Sequence, residues 1–213
     1  MNELHVQAFE LGPIGTNAFL LWEEDGRDAI LVDAPPDAKA AIEPVLKLRD
    51  LQLKALWLTH GHWDHMAGAW EWSEDGLETL GHEDDRPLFE NPAVMSTFAL
   101  PGMDFRPVQI TRWVEDGEEL EAFGRKAEVF HCPGHCPGNI VFHFPQEARC
   151  FVGDVIFSGS IGRADLPGGD FPTLERSIRE KLYRLPDETI LHPGHGPDTT
   201  VGREKATNPY VPC

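Results

Sequence analysis

Apolar residues along this chain fall into two kinds of run. Short blocks rich in leucine, β-branched and aromatic residues, bounded by Gly, Pro, Asp or Asn, predict strands over 5–11, 17–22, 29–33 and 53–59. Further blocks predict strands over 127–131, 140–144, 150–152 and 189–191. Between them lie stretches in helical spacing. One takes Asp37 as its N-cap and runs towards Asp50, with apolar Ile42, Val45, Leu46 and Leu48, and with Pro44 as a kink or a late start. A second helix is expected over 65–72. A third is expected over 173–185, with Leu174, Ile178 and Leu182 on one face. Each half of the chain therefore reads as strands followed by helices, an α/β pattern of sheets covered by helices. No sequence identity between the halves is visible, so no repeat is inferred.

The stretch 84–113 breaks this pattern. It carries Phe89, Met95, Phe98, Met103, Phe105 and Trp113 but is interrupted by Pro87, Pro92, Pro101 and Pro107. Irregular apolar segments of this length serve as lids or binding walls, or simply dock on a core, and both readings stand. Trp57, Trp70 and Trp72 read as core. Trp63 fits either a substrate pocket or packing beneath the loop that carries it.

A chain of 213 residues can bury one sizeable core, and no composition break or long linker argues for two domains. The formal net charge of −18 disfavours nucleic acid and anionic membrane surfaces as partners, both being polyanionic, and reads as an adaptation for solubility or salt tolerance. The start of the chain lacks the basic residues and unbroken apolar core of a secretion signal, and no run approaches the ~20 apolar residues that span a bilayer. A cytoplasmic protein is expected. The four cysteines, at 132, 136, 150 and 213, form no compact disulfide framework, as suits a reducing compartment. Cys132 and Cys136 bracket His135, but a lone C-x-x-x-C lacks the second ligand pair of a thiolate zinc site. They read as small residues packing a loop.

The most informative segment is Thr59-His60-Gly61-His62-Trp63-Asp64-His65, directly after an apolar strand. Histidine is the commonest ligand for zinc and similar transition metals, and an adjacent aspartate adds a hard anionic oxygen. Three later positions extend the set. His135 lies in Cys132-Pro133-Gly134-His135-Cys136-Pro137-Gly138, Asp154 follows the strand at 150–152, and His195 lies in His192-Pro193-Gly194-His195-Gly196-Pro197. Each follows a strand-like run and is flanked by Gly or Pro, residues that fix a side chain at a strand end.

The pattern His60, His62, Asp64, His65, then His135, Asp154 and His195, resembles the metallo-β-lactamase superfamily. The segments from Ser158 to Asp170 and from Pro193 to Glu204 resemble its short, single-domain glyoxalase II-like branch, the hydroxyacylglutathione hydrolase-like proteins. The resemblance covers the chain from about Leu11 to Pro209. It implies a four-layer αββα sandwich, with residues 1–213 as one hydrolase domain and without the C-terminal helical glutathione-binding domain of the long forms. It implies two divalent metal ions, one held by His60, His62 and His135, the other by Asp64, His65 and His195, with Asp154 bridging both. Zinc is the first expectation, and iron and manganese suit the same donors. Two such ions can share a water and lower its pKa towards neutrality, so that hydroxide serves as the nucleophile; Asp64 would orient it as well as ligate.

The implied substrate is a small-molecule thioester such as S-lactoylglutathione. The long forms place a lysine and an aromatic residue near Arg163 and Asp165 for glutathione contact, and the arginine and aspartate here depart from that pattern. Arg163, Lys205 and Arg203 are the basic candidates for anchoring a substrate, and Arg163 could instead brace a ligand carboxylate. Rival readings are a persulfide dioxygenase with a single iron, and a lactonase or other esterase on the same dinuclear site. A binding module without catalysis would be expected to have lost ligands, and all seven are intact.

Overall fold

The apolar blocks become two mixed sheets, one in each of the two units into which the chain divides, residues up to Trp113 and residues from Val114 onward. The computed structural model describes residues 2–73 and 76–213. In the first unit β1 (Leu4–Leu11), β2 (Thr16–Glu23) and β3 (Asp28–Val32) pair antiparallel. Helix α1 (Ala38–Arg49) then crosses to β4 (Gln52–Trp57), parallel to β3, as a parallel pair requires. The short helices α2 (Trp63–Met66) and α3 (Trp70–Ser73) lead to β5 (Glu78–Gly81), and α4 (Arg86–Glu90) precedes β6 (Arg112–Trp113); both strands add in parallel. The sheet order is β1-β2-β3-β4-β5-β6.

Several expectations change here. Asp37 does occupy the N-cap position of α1, but it has φ 69° and its side chain makes no capping bond; Pro44 lies inside the helix rather than delaying it. The single helix expected over 65–72 is two helical turns. The Gly68 amide donates to Ala34 O at 2.8 Å while His65 O accepts from the Ala34 amide at 2.8 Å, so the chain leaves the helix to bond β3's exit. A Cβ on residue 68 would lie 2.3 Å from Pro35 O, which is why glycine stands there. The stretch 84–113 docks on the core through Phe89 and Val108, while Val94, Phe98 and Leu100 stay exposed. Trp70 is only half-buried, with the Arg106 guanidinium 3.8 Å above its ring, whereas Trp57, Trp63 and Trp72 are buried. The core of this unit gathers β2 and β3 residues with Ile42, Leu46, Leu56, Leu58 and Met66.

The second unit holds β7 (Glu119–Ala122), β8 (Arg125–His131), β9 (Ile140–Phe144), β10 (Arg149–Gly153), the hairpin β11 (Ile156–Phe157) and β12 (Ser160–Ile161), then α5 (Phe171–Glu180), β13 (Ile190–Pro193), β14 (Thr199–Thr200) and α6 (Val201–Thr207). Its sheet runs β14-β13-β10-β9-β8-β7, antiparallel except for β10 against β13. Helix α5 begins earlier than expected, because the Asp170 side chain caps it by accepting from the Thr173 amide at 2.9 Å and Pro172 suits its first turn. It ends at Glu180, and Leu182 joins Leu174 and Ile178 in the core from a following single turn. The four cysteines are free thiols; 132, 136 and 150 are buried and 213 is exposed. Burial pushes the Cys132 thiol up to about 12. No helix among the described residues is long and apolar enough to cross a membrane.

Candidate functional site

The loop that leaves β4 brings His60, His62, Asp64 and His65 into the interior, each at most 7% exposed. Charged and polar groups buried so deeply need partners, and the first unit supplies them through Asp33, at the end of β3. The Asp33 carboxylate accepts from the Thr59 amide at 2.8 Å, from Thr59 Oγ1 at 2.8 Å and from His65 Nδ1 at 2.8 Å. A carboxylate only accepts, so the Thr59 hydroxyl spends its proton on Asp33, and its oxygen receives His60 Nδ1–H at 3.0 Å. One side chain thus sets the tautomer of two histidines and leaves Nε2 of each as the basic nitrogen. Thr16 Oγ1 donates to Asp64 Oδ2 at 3.2 Å, and Asp85, fully buried, accepts from the Gly61 amide at 2.8 Å. The His60 ring lies 4.7 Å from that of His62 and 4.1 Å from that of His65, centroid to centroid.

In the second unit His135, Asp154 and His195 sit on the loops after β8, β10 and β13. His135 Nδ1 donates to Arg163 O at 2.8 Å, again leaving Nε2 for a ligand. Asp154 Oδ2 lies 3.5 Å from His135 Nε2 and 3.6 Å from His195 Nε2, and in the first unit Asp64 Oδ2 lies 3.4 Å from His65 Nε2. These separations exceed good hydrogen bonds. A tetrahedral ion with N and O donors at about 2.1 Å has donor–donor edges of about 3.4 Å, so these separations match the spacing that two ligands on one ion would have. Asp154 Oδ2 stands at that spacing from two imidazoles at once, as a bridging carboxylate would. The donor set, imidazole nitrogen with carboxylate oxygen, fits zinc, iron or manganese.

The backbone crowds this second cluster. A Cβ on residue 162 would lie 1.8 Å from Asp154 O and 3.0 Å from His135 Nδ1, so only glycine fits. Phe157 sets its ring against His195, with centroids 5.9 Å apart. Buried Glu204 on α6 ties the β11–β12 hairpin in place by accepting from the Gly159 amide at 3.0 Å and from Thr199 Oγ1 at 2.5 Å.

The side chains of two of the basic candidates, Arg163 and Lys205, are engaged by partners of their own. The Arg163 guanidinium is held in a two-point bond to Asp165, at 2.9 and 3.0 Å, so this residue supports His135 through its carbonyl and braces no ligand carboxylate. Lys205 Nζ bonds Asp187 at 2.6 Å and Leu185 O at 3.4 Å, and Arg203 is exposed on α6. Sequence reasoning missed Asp33, Asp85, Thr16, Gly162 and Glu204. Asp33 carried a signal, an aspartate closing an apolar strand, and Gly162 and Glu204 lie in the segments 158–170 and 193–204 that carry the resemblance; Thr16 and Asp85 carried none.

The family model for the metallo-beta-lactamase superfamily matches residues 11–195. The chain is 39% identical to hydroxyacylglutathione hydrolase GloC of Haemophilus influenzae over 98% of each chain. Among solved structures it is similar to the BLEG-1 B3 metallo-beta-lactamase, with TM-score 0.86 and 36% identity over 97% of this chain and 99% of that one. It is also similar to TTHA1623 in a di-iron-bound form, with TM-score 0.80 and 37% identity over 97% and 100%. The α/β metallo-β-lactamase sandwich expected from the sequence is borne out by these matches.

Proposed function

The chain belongs to the metallo-beta-lactamase superfamily, and from that premise we propose that it is a metal-dependent thioesterase acting on substrates of the S-lactoylglutathione type. The family model runs across both units, which supports reading them as halves of one hydrolase domain that each contribute ligands. His60, His62 and His135 would hold one ion, Asp64, His65 and His195 a second, and Asp154 would bridge them. The position of Asp154 Oδ2, 3.5 and 3.6 Å from two imidazole nitrogens, carries this reading. We take the ions as zinc, with iron the alternative that the di-iron-bound relative favours. Bound there, two divalent ions supply a water acidified towards neutrality and a Lewis acid for the carbonyl oxygen.

The chain's own residues do the rest. Asp33 and Thr59 hold His60 and His65 in the ligating tautomer. Asp64, fixed by Thr16, is the carboxylate that orients the attacking water and takes its proton. Water oxygen adds to the thioester carbon, the C–S bond breaks with its electron pair leaving on sulfur, and the proton held by Asp64 passes to that sulfur, so the products are a carboxylic acid and a free thiol and the carboxylate is regenerated. The hydroxyacylglutathione hydrolase named among the relatives supports the thioester substrate, and the buried free thiols support a cytoplasmic setting.

The test is release of free thiol from S-lactoylglutathione by protein whose metal content is measured on the same sample, with Asp154→Ala alongside. Metal-dependent release that the variant lacks, together with its metal, is the expected result. Two ions without release would move the search to lactones and other esters. One iron with oxygen uptake on glutathione persulfide would replace the hydrolase reading by the dioxygenase.

A further inference from the structure

The second unit contains a cavity of about 440 Å³ beside the Asp154 cluster, lined by Ile161, Gly162, Arg163, Asp165, Phe171 and Tyr210 among others. Its wall is the backbone that serves that cluster: Arg163 O receives His135 Nδ1–H, and Gly162 abuts Asp154 O. Phe171 and Tyr210 are 42% and 52% exposed, large rings left open on one small cavity. Arg163 is the only cationic residue among the described residues that line it. Both Nε and Nη2 of that guanidinium are bonded to the two Asp165 oxygens, at 2.9 and 3.0 Å. The fork that would recognise a carboxylate is already filled by one from the chain itself.

We infer that Asp165 is a specificity-determining residue: by occupying Arg163 it closes this cavity to anionic groups and leaves Phe171 and Tyr210 to receive an uncharged apolar or aromatic one. The inference rests on the proposed thioesterase reading and names the class of thioester, one whose group in this cavity is neutral. A carboxylate arriving there must displace Asp165 from its partner or sit beside a like charge. Both members of the pair are exposed, so solvent screens the effect and it is several-fold rather than absolute.

The experiment compares kcat/KM for S-lactoylglutathione and for the lactoyl thioester of benzyl mercaptan, on metal-loaded wild type, Asp165→Asn, the double variant Arg163→Gln/Asp165→Asn, and Phe171→Ala. Asp165→Asn should shift the ratio about 3- to 10-fold towards S-lactoylglutathione. The lower figure is that for removing a unit charge about 6 Å from a carboxylate at a water-like ε of about 80, and the upper that at an effective ε of about 40. The shift should fall on KM and vanish in the double variant. Phe171→Ala should raise KM for the benzyl thioester several-fold more than for S-lactoylglutathione. An unchanged ratio in Asp165→Asn, or an equal gain for both substrates, overturns the inference. Calorimetric binding of S-methylglutathione and of its diethyl ester to the same proteins repeats the comparison without turnover. A gain in Asp165→Asn confined to the free acid supports the inference even if no thioester is hydrolysed, and equal affinities in both proteins overturn it.

Discussion

Asp33→Asn is the substitution that most directly probes how the first unit prepares its ligands. Asparagine tolerates the positive φ of 60° that Asp33 adopts, and it nearly conserves volume, so the backbone at the end of β3 is kept. The carboxylate loses one acceptor oxygen and gains an N–H₂. If the amide oxygen keeps the Thr59 amide, the new N–H₂ faces Thr59 Oγ1 and His65 Nδ1, where Oδ2 had accepted from both at 2.8 Å. Thr59 can turn to accept. His65 cannot donate to an N–H₂, so its proton moves to Nε2 and blocks the nitrogen that faces Asp64 Oδ2.

Binding an ion through His65 then requires the other tautomer, with Nδ1–H set against an N–H₂ and without a charge-assisted bond worth about 1.5–3 kcal/mol. At about 1.36 kcal/mol per factor of ten, metal affinity should fall about 10- to 100-fold. The assay is competition with a chromophoric chelator for zinc, with ions per chain counted by mass spectrometry and folding checked by thermal melting. Thr59→Val is the companion, since it removes the support of His60 and spares the Asp33–His65 bond. A folded Asp33→Asn protein that binds zinc with wild-type affinity would refute the tautomer reasoning.

Other consequences follow from contacts already described. Gly162→Ala should lower metal affinity at least about tenfold, read in the same competition assay, with its circular dichroism retained, because the new methyl meets Asp154 O at 1.8 Å and one of the two must move. Under Ellman's reagent at neutral pH, Cys213 should react fast and Cys132, Cys136 and Cys150 only on unfolding. Three are buried, and burial holds Cys132 near 12, so it stays protonated. Phe89→Ala should cost about 3–5 kcal/mol in urea unfolding, since the ring is wholly buried in the core that anchors α4.

The proposed ligands stood out in the sequence because four of them crowd into residues 60–65 and the others each lie shortly after a strand, local facts that need no tertiary knowledge. The residues that make those ligands work did not. Asp33 stands 32 positions before His65 and Asp85 stands 24 after Gly61; Asp33 reads only as the end of a strand and Asp85 is assigned no role, because the contacts that give them one are far apart in sequence. The helix expected over 65–72 fails for a similar reason. Its apolar spacing is sound, but Gly68 gives up helical bonding for a contact with Ala34 that no window of eight residues contains. The strands β5, β6 and β14 are two to four residues long, below the length at which alternation can be counted, and their partners define them.

The two units prepare the proposed ligands by different means, and the difference decides which substitutions each can bear. In the first, order comes from side chains: one buried carboxylate organises Thr59, His60 and His65, so changing a single acid disturbs two ligands. In the second, order comes from the backbone: a carbonyl at residue 163 orients His135, and the lack of a side chain at residue 162 makes room for Asp154. A carbonyl is supplied by any residue. The side chain at 163 is therefore spared from holding the ligands, and the Arg163–Asp165 pair can be tuned to the substrate at the cavity wall without loosening His135. A fixed ligand frame beside exchangeable side chains is the arrangement expected where one reaction centre serves many substrates.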